Sequence, residues 1–139
     1  MTQERTKPTV TVATDIDNKP FWDYIKQHEL RVQKCLQCGK LHYPASPICP
    51  YCLSLESEWT QLSGKGKVAS FIVVHRSRSP LFPPGVPYVA AIIETEEGIR
   101  MLSNVVGCRP EEVRMDMPVK AVFEDVSPEL SVHRFAPAG

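Results

Sequence analysis

A mainly β chain with a small α part is predicted, in which an N-terminal helix and a short cysteine-rich ribbon precede a C-terminal five-stranded barrel. Three observations carry that expectation. A helix start at Asp17-Asn18-Lys19-Pro20 is followed by apolar residues at helical spacing; two Cys-x2-Cys pairs lie within residues 35–52; and β-rich runs alternate with turn residues from Lys67 onward.

The helix start combines an Asx cap with a proline in the first turn. Phe21, Trp22 and Ile25 then share one face, which predicts a helix over about residues 19–28. The polar stretch before it, residues 1–16, reads as an arm in which Thr9 to Thr14 alternates weakly. Leu30 to Lys34 alternates as a short strand leading into the first cysteine pair. Residues 53–65 read as a link, with Trp59 and Leu62 as packing residues and Ser63-Gly64-Lys65-Gly66 as a flexible turn.

The C-terminal half is patterned for strands. VASFIVVH is β-branched and aromatic, and it runs into RSRSPLFPPGVP, a loop whose four prolines exclude regular structure. YVAAIIETEEGIRMLSNVV reads as a hairpin turning at Glu96-Glu97-Gly98. A helical turn at Arg109 to Val113 and two further strands, VKAVFEDV and LSVHRFAP, complete the pattern. Five short antiparallel strands in about 70 residues suit a small closed barrel of the OB type, with an SH3-like barrel or a small sandwich as alternatives. The expected units are residues 1–34 (arm and helix), 35–65 (ribbon and link) and 66–139 (barrel).

Charge narrows the function. The 139 residues hold 16 Lys plus Arg and 16 Asp plus Glu, balanced in both halves. A nucleic-acid binder ordinarily shows a basic excess, because phosphate neutralisation supplies much of its affinity. No run approaches the roughly 18 apolar residues of a membrane helix, and MTQERTKPTV has no apolar export core. The expectation is a cytoplasmic protein without a nucleic-acid or membrane partner.

Cys35, Cys38, Cys49 and Cys52 form two Cys-x2-Cys knuckles separated by ten residues. Zinc takes four soft ligands in a tetrahedron, and each tight knuckle delivers two thiolates to one ion. Gly39 permits the backbone such a turn needs, and Pro50 stiffens the second knuckle. Four free thiols or two disulfides are the alternatives, and neither suits this spacing in a chain without an export signal. Four cysteines leave no coordination site open, so the zinc is structural; iron would accept the same ligands, and His42 is a competing donor.

These motifs in this order resemble a known family: the rubredoxin-like zinc-ribbon/OB-fold proteins associated with acyl-CoA metabolism. The matching segments are Phe21-Trp22, Leu30 to Cys35, Cys49 to Cys52, Gly64-x-Gly66, Ser70 to Arg76, Pro87 to Glu94, Leu102 to Gly107 and Phe123 to Val126. The likeness spans about residues 18–136. One departure is Leu53, where many members have glycine. The resemblance implies a helix, a zinc ribbon and an OB domain in one small subunit without catalytic residues. That subunit would stand beside a thiolase-like enzyme, an acyl-CoA thiolase or a thiolase-fold aldolase, or in some members a 3-hydroxy-3-methylglutaryl-CoA synthase or a hot-dog-fold hydratase, in a hetero-oligomer with two copies of each, helping to form an acyl-CoA channel.

Within that picture the proline-rich loop offers candidate contacts. Leu81, Phe82 and Val86 are apolar groups with no local cover, suited to a partner surface or a pantetheine tunnel, and Arg76 and Arg78 at its base suit CoA phosphates. Two other readings compete with it. A nucleic-acid-binding ribbon/OB module is disfavoured by the charge. A stand-alone enzyme would need Cys108 as nucleophile with His75 or His133 as base, but Cys108 follows an apolar run, where a buried inert thiol is the expectation.

Overall fold

The computed structural model describes residues 16–75 and 87–138. The helix, α1, is Lys19–Lys26. It buries Phe21 and Ile25, and Lys19 pairs with Asp23 one turn on at 2.9 Å. Two local expectations need correction. Asn18 occupies the N-cap position, but its side chain makes no capping hydrogen bond. The helix also stops at Lys26 rather than near residue 28, because His28 takes a left-handed φ of 63°.

The chain next builds a three-stranded antiparallel sheet, β2-β1-β3, from β1 (Arg31–Cys35), β2 (Leu41–His42) and β3 (Ser57–Gln61). β3 lies in the stretch read as a link. It pairs with β1 along its whole length, from Arg31 opposite Gln61 to Cys35 opposite Ser57. Its sequence, SEWTQ, has no apolar alternation to announce a strand, so this pairing came from tertiary structure. Leu62 is buried directly after it, and Trp59 lies 5.8 Å from the Tyr24 ring of α1.

Residues 65–137 close into a barrel of β4 (Lys65–Val74), β5 (Tyr88–Thr95), β6 (Arg100–Val105), β7 (Pro118–Asp125) and β8 (Ser131–Pro137). The order around it is β4-β5-β6-β8-β7, with β7 returning to β4. Among the described residues one parallel contact, Val105 beside Phe135, joins β6 to β8. A 3-10 turn, Pro110–Glu112, sits in the β6–β7 connection. This is the OB-type arrangement, and it resolves the choice of barrel left open by strand pattern.

The core follows the two-residue period of the strands. Val68, Val89, Ala91, Ile93, Met101, Val105, Val119 and Phe135 point inward and are buried. Phe21, Ile25, Leu30, Val32 and Leu62 extend the same cluster under α1 and the ribbon sheet. Gly66 is required by close packing: a Cβ there would lie 2.7 Å from the carbonyl oxygen of Glu94 on β5.

Candidate metal centre

The two knuckles are built alike. In the first, Cys35 ends β1, its N–H donates to the carbonyl of Lys40, and the N–H of Gly39 donates back to the carbonyl of Cys35. In the second, the N–H of Cys49 donates to Ser54 and that of Leu53 to Cys49. Gly39 and Leu53 occupy equivalent places, at φ 76° and 67°. Glycine adopts that conformation freely; leucine pays about 1–2 kcal/mol for it. Leu53 therefore keeps the glycine-type turn rather than altering the knuckle.

The four sulfurs all lie within 4.8 Å of one another, with Cys35–Cys52 at 3.4 Å and Cys38–Cys49 at 3.7 Å. A tetrahedron with zinc–sulfur distances of about 2.3 Å has edges of about 3.8 Å, so the donor set fits one ion. Backbone N–H groups already favour thiolate: those of Cys38 and Gln37 point at the Cys35 sulfur at 3.4 Å, and that of Tyr51 at the Cys49 sulfur at 3.4 Å. The Cys38 amide is the main cause holding Cys35 down at about 6, against burial. Cys52, in spite of a backbone donor at Ser54, is pushed up to about 12 by the neighbouring sulfurs, that of Cys35 first. Four such groups cannot all ionise together without a cation between them. Zinc would supply that charge; with four thiolates around it no position stays open for water or substrate.

The surroundings brace the knuckles. Gln33 on β1, a residue the sequence did not single out, is buried and accepts the Ser46 N–H at 2.7 Å, tying the loop between β2 and the second knuckle to the sheet. His42 is buried on β2 and is not part of the four-sulfur group.

The remaining candidate residues fall into two groups. Arg76, Arg78 and Phe82, with Leu81 and Val86, lie outside the described residues. Cys108 is half-buried against the core, and burial, aided by Glu112, pushes its thiol up, away from the reactive thiolate. His133 packs beneath α1, with its ring 5.5 Å from Phe21 and 6.1 Å from Trp22. Both its nitrogens are buried without a partner, and burial, followed by the charge of Arg134, holds it down at about 4. It is a neutral packing group. His75 is exposed at the end of β4.

A closed four-thiolate ribbon joined to an OB-type barrel defines a class of small two-module protein. Residues 22–58 match the family model described as "ChsH2, rubredoxin-like zinc ribbon domain", and residues 59–124 match "ChsH2, C-terminal OB-fold domain". The chain belongs to this ChsH2, or DUF35, family. It is 42% identical over 107 residues to a "DUF35 domain-containing scaffold protein" of Methanocaldococcus jannaschii, covering 76% of this chain and 75% of that one. It is 36% identical over 126 residues to a "Probable enoyl-CoA hydratase alpha subunit" of Thermomonospora curvata, covering 91% of this chain but only 39% of the relative, so it spans about two-fifths of that protein's length. A "Benzoylsuccinyl-CoA thiolase subunit BbsA" of Geobacter metallireducens is 31% identical over 78 residues, 56% of this chain and 51% of the relative. Among solved structures, a chain described as "Ltp2-ChsH2(DUF35) aldolase" superposes with a TM-score of 0.87 at 36% identity, over 93% of this chain and 100% of that one. Among the described residues no helix is long and apolar enough to cross a membrane.

Proposed function

We propose that this protein is the small, non-catalytic subunit of an acyl-CoA-transforming complex, beside a thiolase-like enzyme that is an acyl-CoA thiolase or a thiolase-fold aldolase. The observation that carries the reading is the likeness, over the whole of the other chain, to a ChsH2 chain solved as part of an aldolase. The thiolase subunit among its relatives points the same way. The residues that might have made it an enzyme have other occupations: Cys108 is held as a thiol and His133 is packed as a neutral ring. Cys35, Cys38, Cys49 and Cys52 hold a structural zinc in this reading. Arg76, Arg78 and Phe82 contribute to binding the acyl-CoA, and the complex holds two copies of each subunit. The cytoplasm, where thiolates stay reduced, suits the ribbon.

Co-expression with a thiolase-like enzyme from the same organism tests this directly. A stable complex that turns over acyl-CoA, with no turnover by the small chain alone, is the expected result. Separate elution of the two proteins would overturn it.

A further inference from the structure

The barrel wall is not evenly covered. α1 lies on β8, where Phe21 and Trp22 meet His133. The outward positions of β4, β5 and β6 are different. Val89, Ala91, Ile93 and Met101 point inward, so Ile72, Ala90, Ile92 and Leu102 point out. The register sets Ile72 beside Ala90 and places Ile92 between Ser70 and Leu102. The four aliphatic side chains therefore form one continuous face along a shallow groove of about 240 Å³. Ile72 is 64% exposed and Leu102 66%. A sheet face turned to water ordinarily carries polar residues, and a contiguous aliphatic face signals a site of association.

We infer that this face docks the catalytic partner subunit, through a partner surface that is aliphatic at its centre and places a carboxylate opposite Arg100. The inference rests on the reading of function given above and adds the surface to it. Chemistry selects a protein as the occupant. Single-stranded nucleic acid on an OB barrel stacks its bases on aromatic side chains and runs its phosphates over cations. Here the outward centre is aliphatic; the one aromatic ring lining the groove, Phe71, is partly buried against the core, and the cations at the groove's end, Lys67 and Arg100, flank Glu94 at 3.5 and 3.6 Å. An apolar centre with a charged rim is the anatomy of a protein interface. Lys67 also meets Asp116 at 3.8 Å, whereas Arg100, with a side chain 66% exposed against 50% for Lys67, meets Glu94 only at 3.6 Å and stays open to a second carboxylate. Its complement is an acidic group on the partner. The partner is a different chain rather than a second copy because the relatives carry subunit names within enzymes.

The exposed apolar residues of the second knuckle, Tyr51, Leu53 and Leu55, are the competing surface. The test measures binding of the co-expressed thiolase-like enzyme to the wild-type chain and to Ile72→Asp, Leu102→Asp, Arg100→Glu and Leu53→Asp. Zinc content and melting temperature verify folding, which outward-facing substitutions leave intact. Ile72→Asp and Leu102→Asp are expected to weaken binding at least about tenfold. Arg100→Glu is expected to weaken it severalfold with a flatter salt dependence, and Leu53→Asp to leave it unchanged. Wild-type affinity in all three barrel variants overturns the surface and leaves the proposed function standing. Loss only in Leu53→Asp moves the interface to the ribbon and also overturns it. A wild-type chain that binds no enzyme removes both readings. If light scattering shows a wild-type dimer that Ile72→Asp dissociates while enzyme binding is unchanged, the occupant is a second copy and the inference falls.

Discussion

The ribbon and the barrel reach order by opposite routes. The barrel closes on itself around Val68, Ile93, Met101 and Phe135, all essentially without exposure, and every strand is held on two sides. The ribbon sheet has three short strands, one of only two residues, and turns Leu36, Tyr51, Leu53 and Leu55 out to solvent. Its own buried side chains, Leu30, Val32 and Leu62, join the barrel's core, and the knuckles are held instead by four sulfurs in one cluster. The lesson is that a small module can exchange a hydrophobic core for a metal site, and that it then depends on the metal as the barrel does not.

Removing the metal should break the comparison most sharply. A strong chelator, or Cys49→Ser, is expected to eliminate one bound zinc per chain and to abolish amide protection in β1, β2 and β3, a loss on the order of 10 kcal/mol. Amides of β5 should stay protected in the same hydrogen-exchange experiment. Loss of protection in both modules would show that the barrel leans on the ribbon.

The converse test attacks the barrel. Phe135→Ala removes the largest fully buried side chain among the described residues and should cost about 3–5 kcal/mol of stability in denaturant unfolding. Zinc content of the folded variant should remain one per chain. Zinc lost at denaturant concentrations below the barrel transition would show the two modules to be separately stable.

The smallest effect probes the one strained residue of the ribbon. Leu53→Gly relieves a leucine held at φ 67° and should raise ribbon stability by about 1 kcal/mol. A zinc-competition titration reads this as slower metal loss. Faster loss would mean that the leucine side chain, 74% exposed, supports the knuckle in some other way.

Much of this fold is written in short-range pattern. The helix face of Phe21 and Ile25 depends on a period of three to four residues, which a sequence displays directly, whereas β5 (YVAAIIET) is apolar on both faces and only its burial shows which residues point inward. The cysteine cluster is equally legible, since a Cys-x2-Cys turn brings its own two sulfurs together before any tertiary contact forms. β3 is not legible in the sequence because Ser57 to Gln61 has a strand partner, β1, that lies 26 residues away (Gln33 opposite Trp59) and supplies the backbone bonds its side chains do not advertise. The early end of α1 turned on a single backbone angle at His28, and the idle cap at Asn18 on side-chain geometry.

By itself the sequence determined the order of helix, cysteine ribbon and strand-rich half, the two cysteine knuckles and the family motifs, because each is carried by residue type and local spacing. Tertiary structure alone decided three further matters. It turned a five-strand pattern into an OB barrel by pairing β6 with β8 in parallel. It assigned His133 to packing under α1 rather than to chemistry. It also brought Ile72, Ala90, Ile92 and Leu102, spread over three strands, into one aliphatic face exposed at Ile72 and Leu102. The physical reason is the same each time: which strands share hydrogen bonds, and what covers their outer surface, is settled by closure of the whole sheet and not by any segment within it.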